Sequence, residues 1–221
     1  QKTQRVVAMA AHVAGQLGDD RLVQDCRRAA ELSKADLLTG IVGEFPTLQG
    51  LMGGEYAKHD GESPVVSAAI REQYMPRAME GELPESLAGK VLSLADRLDS
   101  IAGFFLVGMV PSGSEDPFAL RRHATAIVRI VIESKLRLNL AQAVRTAQEV
   151  LSAQDVIAAP QTGKGGTPDI IGFLFERVRF YGKSAHQVRD DVMEAVLKSA
   201  DRQTLDLTDL FDKMKALQQI T

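Results

Sequence analysis

One cysteine, Cys26, among 221 residues leaves no partner for an intrachain disulfide and no thiolate set for a metal, a usage that fits a reducing compartment. Tryptophan is absent and aromatic residues reach only 5%, too few for a platform on which successive bases stack. Neither sign of charge dominates. Twenty-six Lys and Arg face 29 Asp and Glu, a net −3, so bulk charge would repel a phosphate backbone and any RNA contact must come from a local patch. No run approaches the roughly 20 apolar residues that a membrane span needs, and the expectation is a cytoplasmic chain without a membrane partner. The chain opens Gln1-Lys2-Thr3-Gln4, with no initiator methionine or signal peptide, and reads as a piece of something longer.

Against these absences, 45% apolar and 25% charged residues describe an ordinary globular chain with room for one large domain or two small ones. The apolar spacing is helical throughout. Val6, Ala10, Val13 and Leu17 recur every three or four residues before Gly18, a C-terminal stop. A second helix starts at Asp19 or Asp20 and carries Val23, Cys26, Ala30, Leu37 and Ile41, weakened by Gly40 and Gly43 and interrupted by Pro46. Leu48 to Tyr56 make a short third helix, closed by the turn His59-Asp60-Gly61. Ser63-Pro64 opens a helix through Tyr74, residues 76–84 connect, and Ser86 caps a helix bearing Leu87, Val91, Leu94, Leu98 and Ile101.

Asp116-Pro117 is another cap-plus-proline start, and Asn139 with Gln142 resembles a capping box for a helix through Leu151. Thr167-Pro168 opens the next helix, Ser184 with Gln187 caps the one after it, and Leu207 to Leu217 form the last. No segment alternates with a period of two, so the predicted fold class is all-α. The expected division is a multi-helix bundle over 1–158, a flexible linker over 159–167 and further helices over 168–221.

Candidate chemistry is sparse. His59-Asp60 could bind a divalent cation, with oxygen ligands from Asp96 and Asp99, three apart on one helix face, and further donors from His12, His123 or Glu62. A helical constellation of His, His-Asp and a distant Asp is the pattern of the HD phosphohydrolase superfamily, but His59-Asp60-Gly61 reads equally as a surface turn. Asp96 lies among Leu94, Ala95 and Leu98, and a buried carboxylate must be paired or hydrogen-bonded; Arg97 or the Arg121-Arg122 pair are the candidate partners. Arg121, Arg122 and Arg129, extended by Lys135 and Arg137, form a basic helix face that can grip phosphates or pair with carboxylates. Thr162-Gly163-Lys164-Gly165-Gly166-Thr167 lacks P-loop spacing and follows no strand, so it reads as a linker. Cys26 sits on an apolar face with no His beside it, which reads as core.

Two stretches go further. Residues 33–50 with Tyr56 to Glu62, and Leu94 to Asp99 with Pro111 to Arg122, together resemble the β subunit of bacterial heterotetrameric glycyl-tRNA synthetase. The similarity is strong from Thr3 to Leu138 and weaker from Phe173 to Leu197. The resemblance implies an HD-like helical domain and following helices, short of a C-terminal anticodon-binding domain. It implies a ligase that joins glycine to tRNA(Gly) with ATP and magnesium, glycyl-adenylate being made in the α subunit of an α2β2 assembly while β binds and positions the tRNA. This piece alone should be inactive, without a catalytic residue, metal or cofactor of its own. Arg121, Arg122, Arg129, Lys135 and Arg137 are then the tRNA candidates. Lys34, Asp36, His59, Asp60 and Asp96 make up a degenerate HD site in which Lys34 stands where a metal ligand should be. An ammonium there repels a divalent cation and can pair with Asp36 or Asp96 instead. The alternative is a residual HD-type metal-dependent phosphohydrolase using His59, Asp60 and Asp96; a third reading is purely architectural, bracing a subunit interface.

Overall fold

A computed structural model describes residues 1–111, 116, 118–153 and 169–220. Among them there are helices and turns and no strand, so the all-α expectation holds. The chain divides into two compact units, residues 1–99 and 100–221. The expected linker over 159–167 lies outside the described residues.

The first unit begins with α1 (Lys2–Leu17) and α2 (Asp20–Leu32). The Asp19 carboxylate caps α2 by accepting from the Leu22 N–H at 3.0 Å, satisfying one of the orphan donors of its first turn. Two 3-10 turns, Ala35–Leu38 and Pro46–Leu48, flank the short α3 (Gly40–Glu44). Then come α4 (Leu51–His59), α5 (Pro64–Glu72) and α6 (Leu87–Leu106), within which the division between units falls. The proline-plus-serine start of α5 is as expected: Ser63 Oγ accepts from the Val66 N–H at 3.2 Å. α1 packs on α2, α5 on both α2 and α4. Val6, Met9 and Val13 of α1, Cys26 and Ala30 of α2, Ile70 of α5, and Leu92, Leu94 and Leu98 of α6 form the buried core.

α2 is shorter than its apolar pattern suggests. It stops at Leu32 instead of continuing to Ile41, because the Ser33 hydroxyl turns back to donate to the Ala30 carbonyl. Leu37 and Ile41 consequently lie exposed where the sequence suggested a buried helix face, and Leu38 and Phe45 beside them are exposed as well, Leu38 at 91%.

The second unit holds α7 (Leu120–Glu133), α8 (Leu140–Ser152), α9 (Ile170–His186), α10 (Asp190–Ser199) and α11 (Leu207–Ile220). α7 is its centre, with Ile127, Ile130 and Val131 fully buried against α9 and α11. Asp116 caps α7 from a distance, accepting from the Leu120 and Arg121 N–H groups at 2.7 and 3.0 Å. Asn139 caps α8 through the Gln142 N–H at 3.0 Å, as expected. The Ser184–Gln187 capping box does not form. α9 runs through Ser184 to His186, whose ring packs edge-on against Tyr181 and Phe211 at 5.0 and 4.7 Å, so aromatic packing carries the helix one turn further. Asp169 caps α9, accepting from the Gly172 N–H at 2.8 Å; the expected Thr167-Pro168 start lies outside the described residues.

The α4–α5 contact depends on close backbone approach. A Cβ on Gly54 would lie 2.9 Å from the Ser67 carbonyl oxygen and 3.0 Å from Arg71 Cβ, whereas one on Gly43 would meet nothing within 4 Å. Gly54→Ala is therefore expected to destabilise the chain by about 1–3 kcal/mol in urea unfolding. Gly43→Ala, at a helical position with open space, should be neutral or stabilise by up to about 1 kcal/mol.

Candidate functional site

α6 buries two carboxylates one turn apart. Asp96 and Asp99 are 9% and 3% exposed on a helix whose neighbouring side chains are apolar, and carboxylates in such surroundings demand cations. The cations come from the far end of the sequence. Arg5 of α1 grips Asp99 with two bonds, Nε to Oδ1 at 2.6 Å and Nη2 to Oδ2 at 3.2 Å. Lys2 Nζ lies 3.2 Å from Asp96 Oδ1 and 4.0 Å from Asp99 Oδ2. Lys34, directly after α2, sits 3.4 Å from Asp96 Oδ2.

Lys34 is itself held in place. Its Nζ donates to Gln73 Oε1 at 2.9 Å and to the Tyr74 hydroxyl at 3.2 Å, and lies 4.3 Å from the Tyr74 ring centroid. The Gln73 amide is fixed in turn, its Nε2 donating to the carbonyls of Ser33 and Ile70 at 2.7 and 2.9 Å. Burial pushes the Asp96 carboxyl up, but the Lys34 and Lys2 charges and their hydrogen bonds outweigh it and leave the group below the ordinary carboxylate range. Burial, with Asp96 and Asp36 nearby, raises the Tyr74 hydroxyl instead, so it stays protonated at neutral pH.

The remaining residues of the expected HD site divide between two places. Asp36 is 1% exposed, but its Oδ2 accepts from the Gly50 and Gly53 N–H groups at 2.6 and 3.1 Å. It thus binds the first turn of α4, where a carboxylate also meets the positive end of the helix dipole. Gly50 enters that turn with φ +80°, a conformation glycine adopts without strain. His59 and Asp60 stand at the solvent-facing end of α4, 88% and 74% exposed, with His59 Nδ1 3.1 Å from Asp60 Oδ1. They share no contact with Asp96. Among the described residues no group of three or more His, Cys, Asp and Glu could hold a metal ion. The residues present therefore do not fit an HD-type cation: ammonium groups, not imidazoles, meet Asp96.

Of the expected arginine partners, Arg97 does interact electrostatically with Asp96. It is buried, with its pKa lowered to about 10 by desolvation and only partly restored by the Asp96 charge, and its guanidinium donates to the Tyr74, Met75 and Pro76 carbonyls at 3.0, 3.0 and 3.1 Å. Lys2 and Lys34 both lie within ion-pair distance of Asp96. Arg5, Lys2, Gln73 and Tyr74 carry no local sequence signal for this role. The one available clue was that two buried carboxylates on one helix need more positive charge than the adjacent arginine supplies. Cys26 is core, its thiol pushed up to about 12 by burial and then by the Asp25 charge, so it stays protonated at neutral pH.

In the second unit the five basic candidates do not form one uniform patch. Arg122 and Lys135 are exposed and Arg121 is half-buried on α7. Arg129 is 12% exposed and bonded to Glu133 at 2.7 Å, which also accepts from the Tyr181 hydroxyl at 3.0 Å. Arg137 is surrounded by Asp206, Asp209 and Asp212 at 3.3, 3.9 and 3.7 Å.

Comparison with known proteins gives a consistent answer. The family model described as glycyl-tRNA synthetase beta subunit matches residues 1–198. The glycine–tRNA ligase beta subunit of Lactiplantibacillus plantarum is 41% identical over 219 residues, covering 99% of this chain and 31% of the relative. That of Levilactobacillus brevis is 43% identical over 210 residues, covering 94% and 30%, and that of Pseudomonas syringae pv. tomato is 45% identical over 178 residues, covering 80% and 25%. The chain thus spans less than a third of the length of these curated relatives.

Lys34→Met keeps the aliphatic stem and removes the charge from Asp96. It is expected to cost about 3 kcal/mol at pH 7, the lower end for breaking a buried pair because Lys2 remains. Because the Asp96 carboxyl is depressed in the folded chain, its contribution is fully present above the unfolded value of about 4 and is lost as pH falls through the folded value. Denaturant titrations from pH 7 to pH 2 should show the gap between parent and variant closing at the acid end.

Proposed function

The chain belongs to the glycyl-tRNA synthetase beta subunit family, and on that premise we propose that it is a tRNA-positioning and architectural segment of a glycine–tRNA ligase. The observation that carries this reading is the family match over residues 1–198. In the proposed division of labour, glycyl-adenylate forms from glycine and ATP with magnesium on an α subunit, in a cytoplasmic α2β2 enzyme, and this chain contributes binding surface and shape. The first unit is then an HD-like bundle in which the Lys34–Asp96 pair takes the place of a bound cation.

The proposed tRNA contacts start from Arg121 and Arg122 at the N-terminal end of α7 and Lys135 just beyond its other end. Exposed guanidinium and ammonium groups bind phosphates by charge-assisted hydrogen bonds. Arg129 and Arg137 contribute as auxiliaries, at the cost of giving up or sharing Glu133 and the Asp206–Asp209–Asp212 cluster. The phosphohydrolase alternative requires His59 and Asp96 to share a cation; the exposed His59 and the ammonium-bound Asp96 favour the tRNA reading over it.

Replacing Arg121 and Arg122 together by Ala should weaken tRNA binding by the assembled enzyme and lower the slope of log affinity against log salt by roughly 1–2, since each phosphate contact contributes roughly 0.7 on single strands and roughly 0.9 on a B-DNA duplex. Filter binding at several salt concentrations reads both quantities. An unchanged affinity and slope would remove these residues from the interface, and hydrogen exchange with and without tRNA would then report whether the chain is purely architectural.

A further inference from the structure

Between α5 and α6 the chain runs through residues 73–86 without regular secondary structure, yet both ends of this connection are pinned. Arg97 donates to three successive carbonyls, those of Tyr74, Met75 and Pro76, and its Nε donates to Ser93 Oγ at 3.1 Å, whose own hydroxyl donates to Met75 O at 2.7 Å. At the other end Glu72 Oε2 accepts from the Ser86 N–H and hydroxyl at 3.0 and 2.7 Å. Burying a guanidinium against backbone carbonyls is costly, and the return is a shaped loop. That loop walls a groove of about 590 Å³, within the size range of specific binding sites, with Leu51, Met75 and Ala78 as its apolar lining.

The charges around the groove are mostly committed. Arg71 pairs with Glu55 at 3.1 Å. Arg77 donates to the carbonyls of Thr47 and Gln49 at 3.3 and 2.7 Å. Glu72 is held by Ser86. Two lining charges remain, Glu82 and Glu85, both exposed carboxylates without a hydrogen bond or ion pair among the described residues. The surrounding unit points the same way, since residues 1–99 hold 11 Lys and Arg against 15 Asp and Glu. Such a groove repels a phosphodiester. It complements a Lys or Arg side chain whose aliphatic stem lies along Leu51 and Met75 while its charged end meets the two carboxylates.

We infer that this groove is a docking site for a segment of the α subunit bearing a Lys or Arg flanked by apolar residues; the inference rests on the reading above that this chain works with a second kind of subunit. The test is calorimetric titration of the α subunit into this chain and into its Glu82→Gln/Glu85→Gln variant. Both substituted side chains are exposed and unbonded, and matching thermal melts will verify the variant's fold. The expected result is at least a tenfold loss of α-subunit affinity in the variant and a weaker dependence of binding on salt. A second variant, Ala78→Lys, places a positive charge in the groove and should weaken binding similarly. Equal affinity of the parent and both variants, or no binding of the α subunit, overturns the proposal. So does a labelled single-stranded RNA that binds the parent and loses affinity in the Gln variant. Those outcomes leave the tRNA reading standing, because it is judged by tRNA affinity and salt slope in the Arg121/Arg122 variant.

Discussion

Two acids buried on one apolar helix set the terms for the first unit. Asp96 and Asp99 are buried on α6 and need charge partners, and the nearest arginine in sequence also donates to carbonyls of the 74–76 segment. The chain meets the demand from elsewhere: Lys2 and Arg5 from the first turns of α1, and Lys34 from the break after α2. These pairs tie the first helix, the α2 terminus and α6 together across more than 60 residues. Lost partners would leave uncompensated charge in the core, so the network specifies this arrangement even if each pair adds little net stability over an apolar substitute.

The same arrangement decides what the site does. A carboxylate met by two ammonium groups, one of them held by a glutamine and a tyrosine hydroxyl, has the geometry of a structural hub. Asp36, a residue that could have been a ligand, instead organises the start of α4 through Gly50 and Gly53. Exposed features among the described residues include the basic end of α7, the apolar side chains of Leu37, Leu38, Ile41 and Phe45, and the acidic-lipped groove beside α5.

Much of this was legible in the sequence, for identifiable reasons. Helices announced by a capping side chain, such as those after Asp19, Ser63, Ser86 and Asn139, appear where their caps stand, because a cap is a local interaction. The misreadings came where tertiary packing overrode a local pattern. Ile41 fits the helical spacing of α2, but Ser33 and the demands of Lys34 and Asp36 end that helix early. Ser184 and Gln187 look like a cap, but His186 finds its place against Tyr181 and Phe211 only if α9 continues. At the site, the Lys34–Asp96 pairing was recognisable because both residues sit in motif-bearing stretches. Arg5, 94 residues from Asp99, was invisible because no periodicity links sites so distant.

The central claim is that the Lys34 ammonium serves as the cation for Asp96. The most direct measurement is carboxyl-carbon NMR of the aspartates during titration with manganese(II), whose unpaired electrons broaden any ligand they touch. The account predicts that the Asp96 signal titrates below the ordinary carboxylate range and keeps its width in millimolar manganese. Selective broadening of Asp96 together with the His59 ring would contradict it and restore the site to a working metal centre.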